Sequence, residues 1–400
     1  MQHFKVHRDI VFSLVVVAFC VGLVLLPDYQ NPAGWNEEYA RYLLHLGTTP
    51  IKGGNPFERK ELLARASVLS VDNSEVVDYE RVNTGRQKLR VRLLNGPFKE
   101  QATSAINPLV GQMEADKLFV PGDTVFVILD LDGERVVGAT AYDYVRTEME
   151  VILVILFVLL LIGFAGWPGA RALLSFVFAL LLIWKVLLPG TLRGGDPVLL
   201  ALIVVTAMTA VTLVLVAGVG RMALVAGIGA QLGILLTWGM ASLLLPALKL
   251  HGAIQAFAEQ LYHSGFYGLD LTRIFLAAVF VGASGAVLDV AVDVSTAMKE
   301  VIEKRPDLSR RDLLRSGFAV GRNMTSTMVT TLLMAYASGY MILLMLFLAQ
   351  GIPPLHALNT NYVAAEVLKT VVGSIGLVTV APFTAVVGSV LYTVQFRRRG

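Results

Sequence analysis

Eight apolar runs, most of them long enough to cross a bilayer, constrain this chain more than any other feature. They cover residues 10–26, 151–164, 172–188, 198–216, 222–245, 271–294, 325–348 and 364–393. A helix rises 1.5 Å per residue, so about 20 apolar residues span a hydrocarbon core roughly 30 Å thick. Water-soluble chains carry roughly 25% charged residues; this one carries 16% and is 55% hydrophobic. A soluble α/β enzyme is not expected on that ground. The charge is also unevenly placed: 31 of the 63 Asp, Glu, Lys and Arg residues lie between residues 27 and 147. A net charge of +3 is too small to mark a nucleic-acid partner. Cys20 is the lone cysteine and sits in the first run, which excludes an intrachain disulfide and a thiolate metal site.

The first run is long for a signal-peptide core and no A-x-A site follows it, so it reads as an uncleaved anchor. Three regions follow: an anchor over residues 1–26, a β-rich extracytoplasmic domain over 27–147, and a seven-helix membrane domain over 148–400. Basic residues orient the spans. With the N-terminus inside, the inner segments collect 14 basic residues, including seven between Lys299 and Arg322 and the terminal Arg397, Arg398 and Arg399. The short outer loops hold Arg193 and Lys249. The expected fold class is therefore an α-helical polytopic membrane protein of about eight helices, with both termini cytoplasmic and a small β-rich domain outside.

Within residues 27–147, Leu89, Val91 and Leu93 alternate with Lys88, Arg90 and Arg92, the period of a half-buried strand. Asn95-Gly96 and Asp132-Gly133 are turn signals, and Leu118–Val120 and Thr124–Leu129 flank a third at Pro121-Gly122-Asp123. Short strands at this spacing predict a small barrel or sandwich. The stretch 102–117 is expected to form one short helix. No histidine lies between Thr48 and Thr147, and nothing there forms a catalytic constellation.

Two connecting segments read as amphipathic. Ile254, Phe257, Ala258, Leu261 and Tyr262 repeat at helical spacing and predict a helix lying on the outer face, with Glu259 and His263 on its polar side. Two ligands do not make a metal site, and no metal or cofactor is expected. The inner basic segment 299–322 contains Ser309-Arg310-Arg311-Asp312, a helix-capping pattern, and its arginines suit anionic headgroups.

Charges inside spans are costly and ask for a reason. Lys185, beside Trp184 near a span end, is explained by snorkelling. The sixth span differs. Gly282, Gly285, Asp289, Asp293 and Thr296 follow steps of 3, 4, 4 and 3 and so share one helix face. Small residues there admit a neighbouring helix. Two acids one turn apart repel, which suits exchange of a proton or cation; solvation at the inner mouth is the plainer alternative. Arg322 is the expected counter-ion. Thr327, Thr330 and Thr331 either line a polar path or bond their own backbone. Glu366 and Lys369, at i,i+3, read as a solvated pair near the outer end, followed by the packing glycines Gly373 and Gly376.

Enzyme readings are disfavoured. Gly282-Ala283-Ser284-Gly285 matches the G-x-S-G pattern of intramembrane serine proteases, but a serine nucleophile needs a base and all six histidines fall outside the predicted hydrocarbon. Neither a G-x-G-D pattern nor a Walker A loop is present.

These residues carry a family resemblance. The chain resembles the YibE/YibF-like bacterial membrane proteins through Gly285-Ala286-Val287-Leu288-Asp289-Val290-Ala291 with Ser295 and Glu300, then Gly317 to Arg322. Thr330-Thr331-Leu332-Leu333-Met334-Ala335-Tyr336 and Glu366 with Gly373-Ser374-Ile375-Gly376-Leu377, Pro382 and Thr384-Ala385 complete the match. The resemblance implies a bacterial plasma (inner) membrane and no particular substrate. A weaker similarity is to the RND superfamily, including the SecD/SecF translocation proteins, in the order of an acid after a glycine, a basic inner segment and a Gly/Thr-rich helix. Eight spans and one outer domain depart from the duplicated six-span unit of those proteins. Proton coupling through Asp289 is thus an analogy. The leading expectation is a transport or translocation component, possible partners being the bilayer, a second copy or another membrane subunit. The alternative is a scaffold or sensor reading external signals through residues 27–147.

Overall fold

A computed structural model describes residues 2–26, 61–80, 82–132 and 135–397. The expected features at 27–60, Gly133, Arg398 and Arg399 lie outside the described residues. The chain divides into two compact units, residues 35–160 and residues 1–34 with 161–400.

The first unit contains a closed five-strand barrel. Its strands are β1 (Glu61–Tyr79), β2 (Val82–Leu93), β3 (Ala102–Val110), β4 (Thr124–Asp132) and β5 (Arg135–Tyr144), in the order β1-β2-β3-β5-β4. The long β1 closes the barrel, pairing β4 through residues 61–67 and β2 through residues 66–79. Irregularities between Val68 and Ser70 and between Asp72 and Glu75 let it bend between those two partners. Alternation decides what goes inside: Leu89, Val91 and Leu93 are buried with Val125, Val127 and Leu129. The barrel form of the expected domain is thereby fixed. Two local expectations are corrected. Residues 102–110 are strand, because Ala105, Asn107 and Leu109 alternate inward and β3 pairs β2 in register. Residues 118–120 are irregular: Val120 N–H donates to the Asp123 carboxylate while Phe119 fills the barrel.

The other unit is helical. Its elements are α1 (Gln2–Leu25), α2 (Thr147–Leu192, of which residues 147–160 belong to the first unit), α3 (Pro197–Ala217), α4 (Arg221–Ala247), a short α5 (Ala258–His263), α6 (Leu271–Lys304), α7 (Arg310–Ser338), α8 (Met341–Ala349), α9 (Pro354–Leu358) and α10 (Asn361–Arg397). Among the described residues, α2, α3, α4, α6 and α10 are each long and apolar enough to cross a membrane. The pair α7 and α8, bent by 65°, makes a sixth if taken together. This is a multi-pass membrane protein, although the count stops short of eight: residues 10–25 form a shorter apolar helix, and the runs 151–164 and 172–188 fall within α2. Gly166 interrupts α2 at φ 59° and ψ −134°, a conformation that favours glycine.

α6 lies at the centre. Val287, Val290, Ala291, Val294 and Met298 are fully buried against α3, α4, α7 and α10. The α4–α10 contact is close because Gly229 receives Thr384, and Gly376 receives Thr237. Asp196, Asp270 and Ser309 cap α3, α6 and α7 by accepting from backbone N–H groups. Asp196 also pairs with Arg273. Ser309 Oγ accepts from Asp312 N–H at 3.2 Å, the capping contact the sequence pattern predicts.

Three helix expectations change. The predicted outer amphipathic helix is broken: Ile254 sits in a single 3₁₀ turn, Phe257 is left-handed at φ 62°, and only Ala258–His263 is helical. The inner segment 299–322 is divided between the end of α6 and the start of α7. The run 325–348 bends between Ser338 and Met341.

Candidate functional site

Lys185 lies in a π-helical turn of α2 and donates to the Leu26 carbonyl at 2.9 Å, so it satisfies the end of α1. Ser284 donates to the Val281 carbonyl at 2.7 Å, one turn back in its own helix. His251, His263 and His356 are all exposed, and His263 meets Glu259 at 3.7 Å.

The shared face predicted on the sixth span exists on α6. Gly282, Gly285 and Asp289 lie at the surface of the helical unit, with Asp293 and Thr296 half-buried. The two carboxylates are within electrostatic range of each other. Gly285 faces open space, so no neighbouring helix packs against this face at that position. Gly321 of α7 packs on Val294 and Ala381. That contact sets Arg322 at the height of Asp293, the neighbour of Val294. Arg322 is nevertheless exposed and forms no ion pair with either acid among the described residues.

The hydroxyls on α7 divide. Thr327 donates to the Met324 carbonyl at 3.0 Å and Thr331 to the Thr327 carbonyl at 3.2 Å, so both satisfy themselves within their own helix. Thr330 is exposed without such a bond.

On α10 the expectation of a solvated Glu366–Lys369 pair is corrected. Their side chains are only 11% and 14% exposed and approach to 3.5 Å. A buried ion pair needs further polar partners to offset desolvation. Lys369 finds them in Gln255 Oε1 at 3.0 Å and in the face of Phe275 at 5.4 Å. Gln255 follows directly on the 3₁₀ turn Gly252–Ile254, which docks so tightly on Leu271 that no side chain fits at Gly252.

Tyr336 and Tyr340 lie within electrostatic range of Glu366. The Tyr336 hydroxyl is buried without a hydrogen-bond partner, 2.6 Å from where a Cβ on Gly282 would stand. Sequence reasoning missed Gln255 and gave Tyr336 no role of its own. The signal for Tyr336 was available, since a polar aromatic on a membrane helix opposite a glycine asks what its hydroxyl meets. Nothing local marks Gln255, whose role depends on a tertiary contact with α10. Gly373 touches Leu332 and Ala283, so Gly282, Gly373 and Gly376 all meet neighbouring helices, while Gly285 does not.

Residues 153–394 match the family model described as YibE/F-like protein. No curated protein and no solved structure matches the chain.

Proposed function

The chain belongs to the YibE/F-like proteins, and on that premise we propose that it is a transport or translocation component of a bacterial plasma membrane, coupled to a proton or cation through Asp289 and Asp293. One observation carries the reading: two carboxylates one turn apart lie on a small-residue face of a membrane-spanning helix, with no cation bonded to either among the described residues. Charge is expensive in hydrocarbon, and acids that persist there mark ion or proton pathways. Arg322, at the height of Asp293, is the residue that neutralises the pair when its long side chain swings inward. Asp289→Asn keeps shape and removes charge, and is expected to abolish coupled flux in proteoliposomes of the full chain. Unchanged flux and an unchanged deletion-strain phenotype for Asp289→Asn and Asp289→Ala would sink the proposal.

The topology belongs to the same reading. A 46-residue helix would extend about 69 Å, more than twice a core of about 30 Å. The break at Gly166 divides α2 into two segments, each of a length suited to one crossing, and Arg171 follows the break where the basic residues argue for the inner side. With α1 and the bent α7–α8 pair this makes eight spans, both termini inside and residues 27–147 outside. The separate barrel unit favours the second reading, a scaffold or sensor. That reading requires loss of function on deleting the barrel, with no flux in liposomes from either form.

A further inference from the structure

We propose that the exposed face shared by α6 and α7 is where a second copy of this chain docks, with Arg322 of each copy meeting Asp293 of the other. This goes beyond the transport reading and does not depend on flux.

The argument begins with what this face cannot meet. α7 runs antiparallel beside α6: Gly321 packs on Val294 toward one end, and Tyr336 stands against Gly282 toward the other. On the side left open, Asp289 of α6 and Arg322, Ser326 and Thr330 of α7 are exposed. The last three follow steps of 4 and so share a face. Ser326 donates to the Asn323 carbonyl at 2.8 Å and is satisfied within its own helix. Asp289, Arg322 and Thr330 have no bonded partner among the described residues. Lipid tails offer no hydrogen bonds, and ionisable groups within spans face protein or water instead. A polar face of this kind on a membrane-spanning pair therefore calls for a cover. Gly285, on the same face, has nothing within 4 Å of where a side chain would start, which leaves room for a neighbouring helix.

Charge says what the cover is. The face carries both signs: Asp289 and the half-buried Asp293 on α6, and on α7 a guanidinium paired with neither. A face that carries both signs is complementary to itself. Two copies inserted with the same orientation are related by a two-fold axis along the membrane normal, so their contacts join residues of equal depth. The Gly321–Val294 contact sets Arg322 and Asp293 at equal depth. Symmetry then makes the contact twice, once from each copy. Asp289, four residues from Asp293 and about 6 Å along the helix, borders the same contact. The planar guanidinium fork suits a carboxylate in a water-poor interface. A different subunit would have to bring both charges at matching depths; a second copy brings them by construction.

Pairing between copies has a signature that pairing within one copy lacks. Two full chains with different tags are co-expressed, extracted in mild detergent and purified on one tag, and the second tag is measured. Wild-type copies are expected to co-purify. Arg322→Asp with itself, and Asp293→Arg with itself, set like charges against each other and should lower recovery at least tenfold. Arg322→Asp co-expressed with Asp293→Arg restores an opposite pair at both contacts, so recovery should return. Wild-type copies that do not co-purify, or charge variants that stay monomeric when combined, would overturn the proposal. Should the charge variants fail to fold, cross-linking decides. In a Cys20→Ala background, Gly285→Cys treated in membranes with a bifunctional maleimide is expected to give a dimer band, and Leu235→Cys, exposed on α4, is not. Absence of that band, or a band joining this chain to a different protein, would also overturn it. A dimer without flux in liposomes would remove the transport reading and leave this interface standing.

Discussion

The barrel and the helical unit differ in how completely they pair their buried polar groups. Inside the barrel, Gln87 is fully buried, yet each of its side-chain atoms is used. Its oxygen accepts from Asn107 at 3.0 Å and from Phe119 N–H at 3.0 Å, and its nitrogen donates to Phe119 O at 2.8 Å and Asn73 Oδ1 at 2.9 Å. Asn107 then donates to Lys117 O at 2.6 Å. In the helical unit, the Tyr336 hydroxyl, the Thr384 hydroxyl, Gln231 Nε2 and Gln255 Nε2 are buried without partners. A fully satisfied network specifies one arrangement of a core. Unsatisfied groups raise the energy of the state that holds them. The polar core of the barrel specifies one arrangement, whereas the helical unit holds buried polar groups without partners among the described residues.

The sharpest way to break that contrast is to open the barrel network. Gln87→Leu keeps the volume and strips partners from Asn107 and from both backbone groups of Phe119. Unpaired buried groups cost about 1–3 kcal/mol each, so the barrel should lose about 4 kcal/mol. Hydrogen exchange reads each unit separately: amides of β2, β3 and residue 119 should lose protection while α6 and α10 keep theirs. If protection in β2 and β3 is unaltered, the network is not what holds the barrel.

The matching change in the helical unit has the opposite sign. Thr384 is fully buried against Gly229 and its hydroxyl is unbonded. Thr384→Val removes that hydroxyl at nearly constant volume and should stabilise by about 1 kcal/mol, a rise of about 2–4 °C in melting temperature for a unit of this size. A loss of stability would mean the hydroxyl is satisfied after all, and the contrast with the barrel would weaken.

What could be read in advance follows from the range of the physics involved. Spans are set by local hydropathy, so the runs at 198–216, 222–245, 271–294 and 364–393 reappear as α3, α4, α6 and α10. Strand β2 was legible because its inward and outward residues alternate strictly. Strand β3 was not: Asn107 and Pro108 interrupt its apolar period, and Asn107 points inward because Gln87 on the next strand and the Lys117 carbonyl receive it. The Gly282–Asp289–Asp293 face is a matter of helical spacing and was visible from residue numbers alone. Burial of Glu366 and Lys369 was not, since position within a helix says nothing of the Gly252–Gln255 turn folded over it from another part of the chain. The break in the predicted 254–262 helix likewise depends on that docking, which holds Phe257 in a left-handed conformation the pattern does not foretell.

The smallest expected effect tests whether ionic contacts outside the barrel core share its completeness. Burial alone would push the Asp143 carboxyl up, but a hydrogen bond from Arg146 at 2.8 Å, the Tyr144 N–H at 2.7 Å and Lys117 at 3.2 Å outweigh it and hold the group below the ordinary carboxylate range. A carboxyl lowered on folding contributes stability above the unfolded pKa of about 3.9, and loses it as the pH falls through the lowered folded value. The pair is partly exposed, so the contribution is held to less than about 1 kcal/mol by solvent screening. Barrel stability in wild type should therefore decline between about pH 4 and pH 2 more steeply than in Asp143→Asn, which has no charge to lose there. Denaturant midpoints at pH 6 and pH 3 measure it. Parallel declines in the two proteins would mean that Lys117 and Arg146 hold Asp143 no better in the folded barrel than water does in the unfolded chain, and the completeness of the barrel's polar contacts would end at its core.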